Sequence, residues 1–168
     1  MTERETMDAW KDALQSQFGA AISMLENAID ACPDALWSDR SRQPEFWYVA
    51  YHTLFYLDLY FSPGLDGFTP PPPFTLDETD PAGILPPRPY TKDELRAYLR
   101  HGRDKARGVI AALTDETARE RWRYGSWLEG SAIEVILDNL RHVQHHTAQL
   151  NPILRQETDS APRWVTRA

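Results

Sequence analysis

Asn139-Leu140-Arg141-His142-Val143-Gln144-His145-His146-Thr147-Ala148-Gln149-Leu150 holds three of the five histidines of the chain. An α-helix turns about 100° per residue, so with Ile136 as zero, Leu140, Val143 and Thr147 fall within about 40° and form an apolar stripe. Glu134, Asp138, Arg141 and His145 lie near 140–200°, a solvated face. His142 and His146 point together into the flank between the two, at about 240° and 280°. Their i, i+4 spacing places the Cβ atoms roughly 5–6 Å apart, close enough for both rings to reach one metal ion. His145 faces elsewhere and reads as a bystander. Asn139 and Gln149 share the flank of the pair, at about 300° and 220°, and read equally as supporting amides or as substrate contacts.

Two histidines do not complete a site, because zinc centres that do chemistry typically use three protein ligands and leave a position open. His52 and His101 remain. His52 lies in Phe46–Phe61, a segment apolar on almost every face and therefore expected inside the protein. His101 lies in Arg100-His-Gly-Arg-Asp-Lys105, which reads as solvated surface. His52 is the expected third ligand. No carboxylate is placed well enough to name as a general base, so the catalytic residues stay unassigned.

Outward from these motifs the chain reads as all-α, a single domain over residues 1–155 with helices at about 3–32, 44–61, 92–113 and 131–151. Thr2-Glu-Arg-Glu5, Thr91-Lys-Asp-Glu94 and Ser131-Ala-Ile-Glu134 have the capping-box pattern. Leu14, Phe18, Ala21, Leu25 and Ile29 give the first helix its stripe; Leu95, Tyr98, Leu99, Ala106, Val109, Ile110 and Leu113 give the third helix its own. Arg96, Arg100, Arg103, Lys105 and Arg107 read as the solvated face of the third helix. Pro44 suits the first turn of the second helix. Trp47, Tyr48, Tyr51, Phe55 and Tyr56 on that helix read as core or dimer interface. Residues 33–43 read as a polar connection. Pro152 is expected to end or kink the last helix near Asn151, leaving 156–168 as a loose tail in which Trp164 docks. Residues 114–130 read as a connector with one helical turn near 117–121 and no strand.

Between Ser62 and Tyr90 lie nine prolines and three glycines, which neither helix nor central strand tolerates. Extended chain covers more than about 3 Å per residue, so this segment can run the length of a bundle and leave the helices on either side parallel. Phe68, Phe74, Ile84 and Leu85 would be costly to leave wet, so the crossover is expected to pack on the helices.

Composition narrows the function. The chain has 168 residues, one cysteine and a formal charge of −7. That acidity argues against nucleic acid or an anionic membrane as main partner. Cys32 has no partner for an internal disulfide and reads as a small buried apolar residue, which suits a reducing, cytoplasmic setting. No signal peptide or membrane span is expected.

Two motifs resemble the DinB/YfiT-like superfamily of metal-dependent four-helix-bundle proteins: Tyr48-Val-Ala-Tyr-His52-Thr-Leu-Phe, and His142-Val-Gln-His-His146-Thr-Ala-Gln149-Leu. Ala148 stands where that family often has glycine. The resemblance implies a bundle with the second and third helices parallel, and zinc or nickel held by His52, His142 and His146. It also implies a homodimer, and activities such as thiol-dependent transfer with low-molecular-weight thiols. The leading expectation is a metal-dependent enzyme that activates a water or a thiol, a hydrolase or thiol transferase. The alternative is a non-catalytic dimeric metal-binding bundle that takes a small ligand or a protein partner.

Overall fold

Apolar residues recurring at helical spacing build four long helices, and their buried faces are those the spacing marks. The computed structural model describes residues 3–168, with side chains from Asp8 onward; Thr2 and the side chain of Glu5, on which the expected capping box depends, lie outside what is described. The elements in chain order are α1 (Glu3–Ala31), α2 (Asp34–Trp37), α3 (Phe46–Leu59), α4 (Lys92–Ala112), β1 (Arg121–Tyr124), β2 (Leu128–Ser131) and α5 (Ala132–Thr158). Leu14, Phe18, Ala21, Leu25 and Ile29 of α1 are all buried, as are Leu95, Tyr98, Leu99, Ala106 and Ile110 of α4. Thr91 and Ser131 close reciprocal capping boxes with Glu94 and Glu134, which satisfies backbone donors at the starts of α4 and α5.

The helices form a ring in which α1 and α3 each pack against both α4 and α5. Trp47 meets Tyr90 at one end of α3, and Asp58 meets Tyr98 and Lys105 at the other. Residue numbers rise together along the contact, so α3 and α4 are parallel. The α1–α4 pair runs the other way, with Arg96 on Asp30, Arg103 on Glu26 and Lys11 on the carbonyl of Ala111. Parallel neighbours cannot be joined by a tight turn, so the chain from Tyr60 to Thr91 travels back along the helices. Phe68 and Phe74 anchor it in the core, while Ile84 and Leu85 are about half exposed, contrary to expectation (50% and 55%). Phe74 stacks on Tyr98 at 4.2 Å, which fixes one point of the crossover against α4.

Several boundaries differ from the sequence reading. Pro44 precedes α3, whose N-cap is Glu45 in extended conformation; the Glu45 carboxylate accepts from Trp47 Nε1 at 2.6 Å. The 33–43 connection contains the single turn α2. Helix α5 runs through Pro152 to Thr158. Ala148 and Pro152 are exposed while Leu150 and Leu154 are fully buried, so the carbonyl that loses its helical partner faces water, and burial on the opposite side holds the helix together. Beyond Thr158 the tail returns to α1, where Gln17 Nε2 donates to the Thr166 carbonyl at 3.4 Å, but Trp164 stays exposed. Residues 121–131 form an antiparallel hairpin, with Trp122 opposite Gly130 and Tyr124 opposite Leu128. The helical turn before it spans Thr117–Arg119. Among the described residues no helix is long and apolar enough to cross a membrane.

Removing the Thr91 hydroxyl leaves the Glu94 amide without its side-chain acceptor. Thr91→Ala should lower stability by about 1 kcal/mol, read as a lower urea midpoint with an unchanged m-value.

Candidate metal centre

Helix α5 crosses α3 antiparallel, and the register of that crossing sets the site. Asn139 is fully buried and donates from Nδ2 to the Leu57 carbonyl at 3.0 Å. One turn further along α5 this register lays His142 beside His52, with their Nε2 atoms 3.4 Å apart. His146, the next turn on, meets the His52 ring edge to face at 4.7 Å between centroids. One ligand-type atom from each of His52, His142 and His146 lies within 4.8 Å of the other two. The three imidazoles form a cluster able to coordinate a metal ion.

Hydrogen bonds set which nitrogens are lone pairs. His52 Nδ1 lies 2.7 Å from Oε2 of Glu78, and a carboxylate only accepts, so Nδ1–H donates and Nε2 keeps its lone pair. His146 Nδ1 lies 2.8 Å from Gln149 Oε1; the amide oxygen likewise accepts, which leaves His146 Nε2 as an acceptor. His142 Nδ1 is buried and has no partner. Two imidazoles thus present Nε2 lone pairs that only a donor or a cation satisfies. With His142 Nε2 as a third, facing His52 Nε2, the donor set fits a divalent transition ion of the kind that takes imidazole nitrogen.

Burial favours the neutral ring in two of the three, His142 and His146. The His142 imidazolium is disfavoured chiefly by desolvation and then by its histidine neighbours, and its pKa is pushed down to about 3. Burial also lowers that of His146, against the opposing pull of its bond to Gln149. Neutral imidazole is the form that binds metal, so both rings are competent ligands at neutral pH.

The cluster floors a cleft of about 550 Å³. Its walls come from α3 (Tyr56), the start of the crossover (Tyr60), the crossover itself (Glu78, Thr79, Asp80, Pro81) and the hairpin tip (Ser126, Trp127). Gly125 takes φ 54° at that tip, and a Cβ there would stand 2.6 Å from the Trp127 ring, so glycine lets the indole fold over the cleft, where Nε1 donates to the Tyr60 hydroxyl at 3.3 Å. Tyr56 donates to the Glu78 carbonyl at 3.2 Å. Burial, aided by the charge of Glu78, pushes the Tyr56 phenol up to about 12, so it stays a hydrogen-bond donor rather than a base.

The family model of the DinB superfamily matches residues 17–150, a span that holds all three histidines. The chain belongs to the DinB superfamily. Neither a curated protein nor a solved structure matches it.

Within this DinB fold the expected positions come out unevenly. His52, His142 and His146 come together, although the side chain of His52 is 26% exposed to the cleft rather than enclosed in the core. His145 stays outside the cluster, its Nε2 3.2 Å from the Gln149 amide nitrogen. Gln149 contacts His146 directly, whereas Asn139 touches α3 backbone instead of a histidine. Tyr56 lines the cleft, while Trp47, Tyr51 and Phe55 are core. His101 is exposed, as expected, with Nε2 3.3 Å from the Asp58 carboxylate, whereas Lys105, expected on the solvated face, turns in to that buried carboxylate at 2.5 Å. Cys32 is buried, and its thiol is pushed up to about 12, mainly by desolvation; it is no thiolate at neutral pH. The sequence reading missed Glu78 and Trp127. Alternation in Arg121-Trp-Arg-Tyr124 before a Gly-Ser turn was a usable hairpin signal; nothing in the sequence pattern separates Glu78 from Asp77 or Asp80.

A histidine whose folded pKa lies below its unfolded value favours the folded state above about pH 6.5, and that contribution fades as pH falls. In chelator-containing buffer, unfolding free energy should therefore drop between about pH 6.5 and pH 3, and His142→Gln should flatten the pH slope measured by urea titration.

Proposed function

We propose that this DinB-superfamily protein is a metal-dependent enzyme in which His52, His142 and His146 hold a zinc or nickel ion and a substrate enters above it. The observation that carries this reading is the convergence of three imidazole donor atoms at the floor of an open cleft. A cluster sealed by protein on every side would instead support the non-catalytic bundle. The ion would supply Lewis acidity, enough to make a water or a thiol nucleophilic near neutral pH.

The chain's own residues do the rest. Gln149 holds the His146 ring through Nδ1, which keeps Nε2 facing the cluster. Tyr56, Tyr60 and Trp127 form aromatic walls that limit water and present apolar area to a substrate. The lining contains no lysine or arginine among the described residues and does contain Glu78 and Asp80. A neutral substrate with a compact apolar group suits such walls; a polyanionic one meets like charge without a counter-ion. Hydrolysis and thiol transfer onto an electrophile both fit this site.

Purified without a histidine tag, the protein should carry about one transition-metal ion per chain by elemental analysis. His52→Ala, His142→Ala and His146→Ala should each lose it, and His145→Ala should keep it. Loaded protein should then turn over a neutral ester or transfer a thiol to a neutral electrophile. A wild type that neither carries nor takes up Zn²⁺ or Ni²⁺ would sink the proposal.

A further inference from the structure

Resting on the metal reading of the same three histidines, we propose that Glu78 is a positioning residue that couples metal binding to docking of the crossover flap Thr75–Leu85. The flap is weakly held elsewhere. Leu76, Ile84 and Leu85 are about half exposed (46%, 50% and 55%), and Thr75, Pro81, Ala82 and Gly83 are exposed as well. Its flanks are fixed, with Phe74 and Pro86 buried. Between those anchors, one residue reaches inward. The Glu78 side chain is 3% exposed, on a single 3₁₀ turn, Asp77–Thr79, that has no apolar residue to bury.

Two hydrogen bonds hold that turn to α3, and the Tyr48 hydroxyl of the same helix stands near the Glu78 carboxylate. Glu78 Oε2 accepts from His52 Nδ1 at 2.7 Å, and the Glu78 carbonyl accepts from the Tyr56 hydroxyl at 3.2 Å. Both partners lie on one face of α3, four residues apart. The second carboxylate oxygen, Oε1, is buried without a hydrogen-bond partner, so beyond the His52 ring and the nearby Tyr48 phenol the carboxylate has few compensating contacts. A buried carboxylate in that state is costly, and a cation on the far side of the imidazole relieves it. Positive charge at Nε2 strengthens the Nδ1–H···Oε2 bond, and the carboxylate in turn makes Nε2 a better donor to the ion.

Coupling between two binding events is reciprocal. If Glu78 strengthens the hold of His52 on the ion, the ion must strengthen the hold of the bundle on the flap by the same factor. The cleft wall formed by Thr79, Asp80 and Pro81 is then ordered only when the ion is in place. The flap closes over a loaded site and loosens over an empty one.

The test compares wild type, Glu78→Gln and Glu78→Ala. Zn²⁺ affinity is read by competition with a chromophoric chelator, and hydrogen exchange across residues 75–85 is followed with and without Zn²⁺. Glu78→Ala should weaken Zn²⁺ binding about 10- to 100-fold. Glu78→Gln should lose less, because its amide oxygen still accepts from Nδ1–H. In the wild type, Zn²⁺ should slow exchange at Thr79, Asp80, Ala82 and Gly83, whose amides are hydrogen-bonded within the flap; in Glu78→Ala it should not. Equal Zn²⁺ affinity in all three proteins, or flap exchange indifferent to Zn²⁺ in the wild type, would overturn this inference and leave the metal site standing. A wild type that binds no Zn²⁺ would overturn both.

Discussion

The fit of α3 against its two neighbours depends on how its C-terminal carbonyls are satisfied. A helix end leaves carbonyls without helical partners, and burying them unmatched is costly. Here the Phe61 amide turns back to Asp58 rather than to Leu57, and the Leu57 carbonyl takes Asn139 of α5 instead. The Asp58 carbonyl takes the ammonium of Lys105 from α4 at 2.8 Å. Each bond admits one register, so the same residues that cap α3 set how far α4 and α5 can slide along it. His52 sits less than two turns before those caps, and a slide of one turn in α5 would leave only one of the pair His142 and His146 beside it, breaking the three-histidine cluster.

Around Asp58 the polar interior is paired, whereas around His52 it is a cluster of imidazoles with unpartnered nitrogens. Asp58 is fully buried, yet it accepts from Tyr98 and Lys105, and His101 stands at its rim. Such a pair contributes little net stability once desolvation is counted, but losing either partner strands a charge. The histidine cluster works the other way. Burial and the neighbouring histidines disfavour the cation at His142 and His146, and the free lone pairs of the cluster are what a metal ion seeks. Two faces of one helix, α3, thus carry opposite electrostatic arrangements.

What was legible in the sequence follows from the range of the forces involved. Helical spacing and capping boxes are local, so the stripes of α1 and α4 and the starts of α4 and α5 could be read from neighbouring residues. The i, i+4 pair His142 and His146 is local too, and His52 stood out as a lone imidazole in an apolar run. Glu78 depends instead on how a proline-rich chain lies across α3, which no periodicity reports. Lys105 looked like one of five basic surface residues, since its acceptor belongs to another helix. Pro152 misled because its penalty is a local rule, while the burial of Leu150 and Leu154 that outweighs it is tertiary.

The division of labour in the cleft bears on how such a protein diverges. The floor is built from helices whose register is fixed by buried bonds, and the walls come from two connections, the crossover and the hairpin tip. Connections tolerate substitution and length change far better than packed helices do. Descendants of this chain can therefore exchange Thr79, Asp80, Ser126 or Trp127, and with them the shape and charge presented to a substrate, while the helical floor stays intact. Lineages with little overall similarity could share one inherited floor beneath different walls.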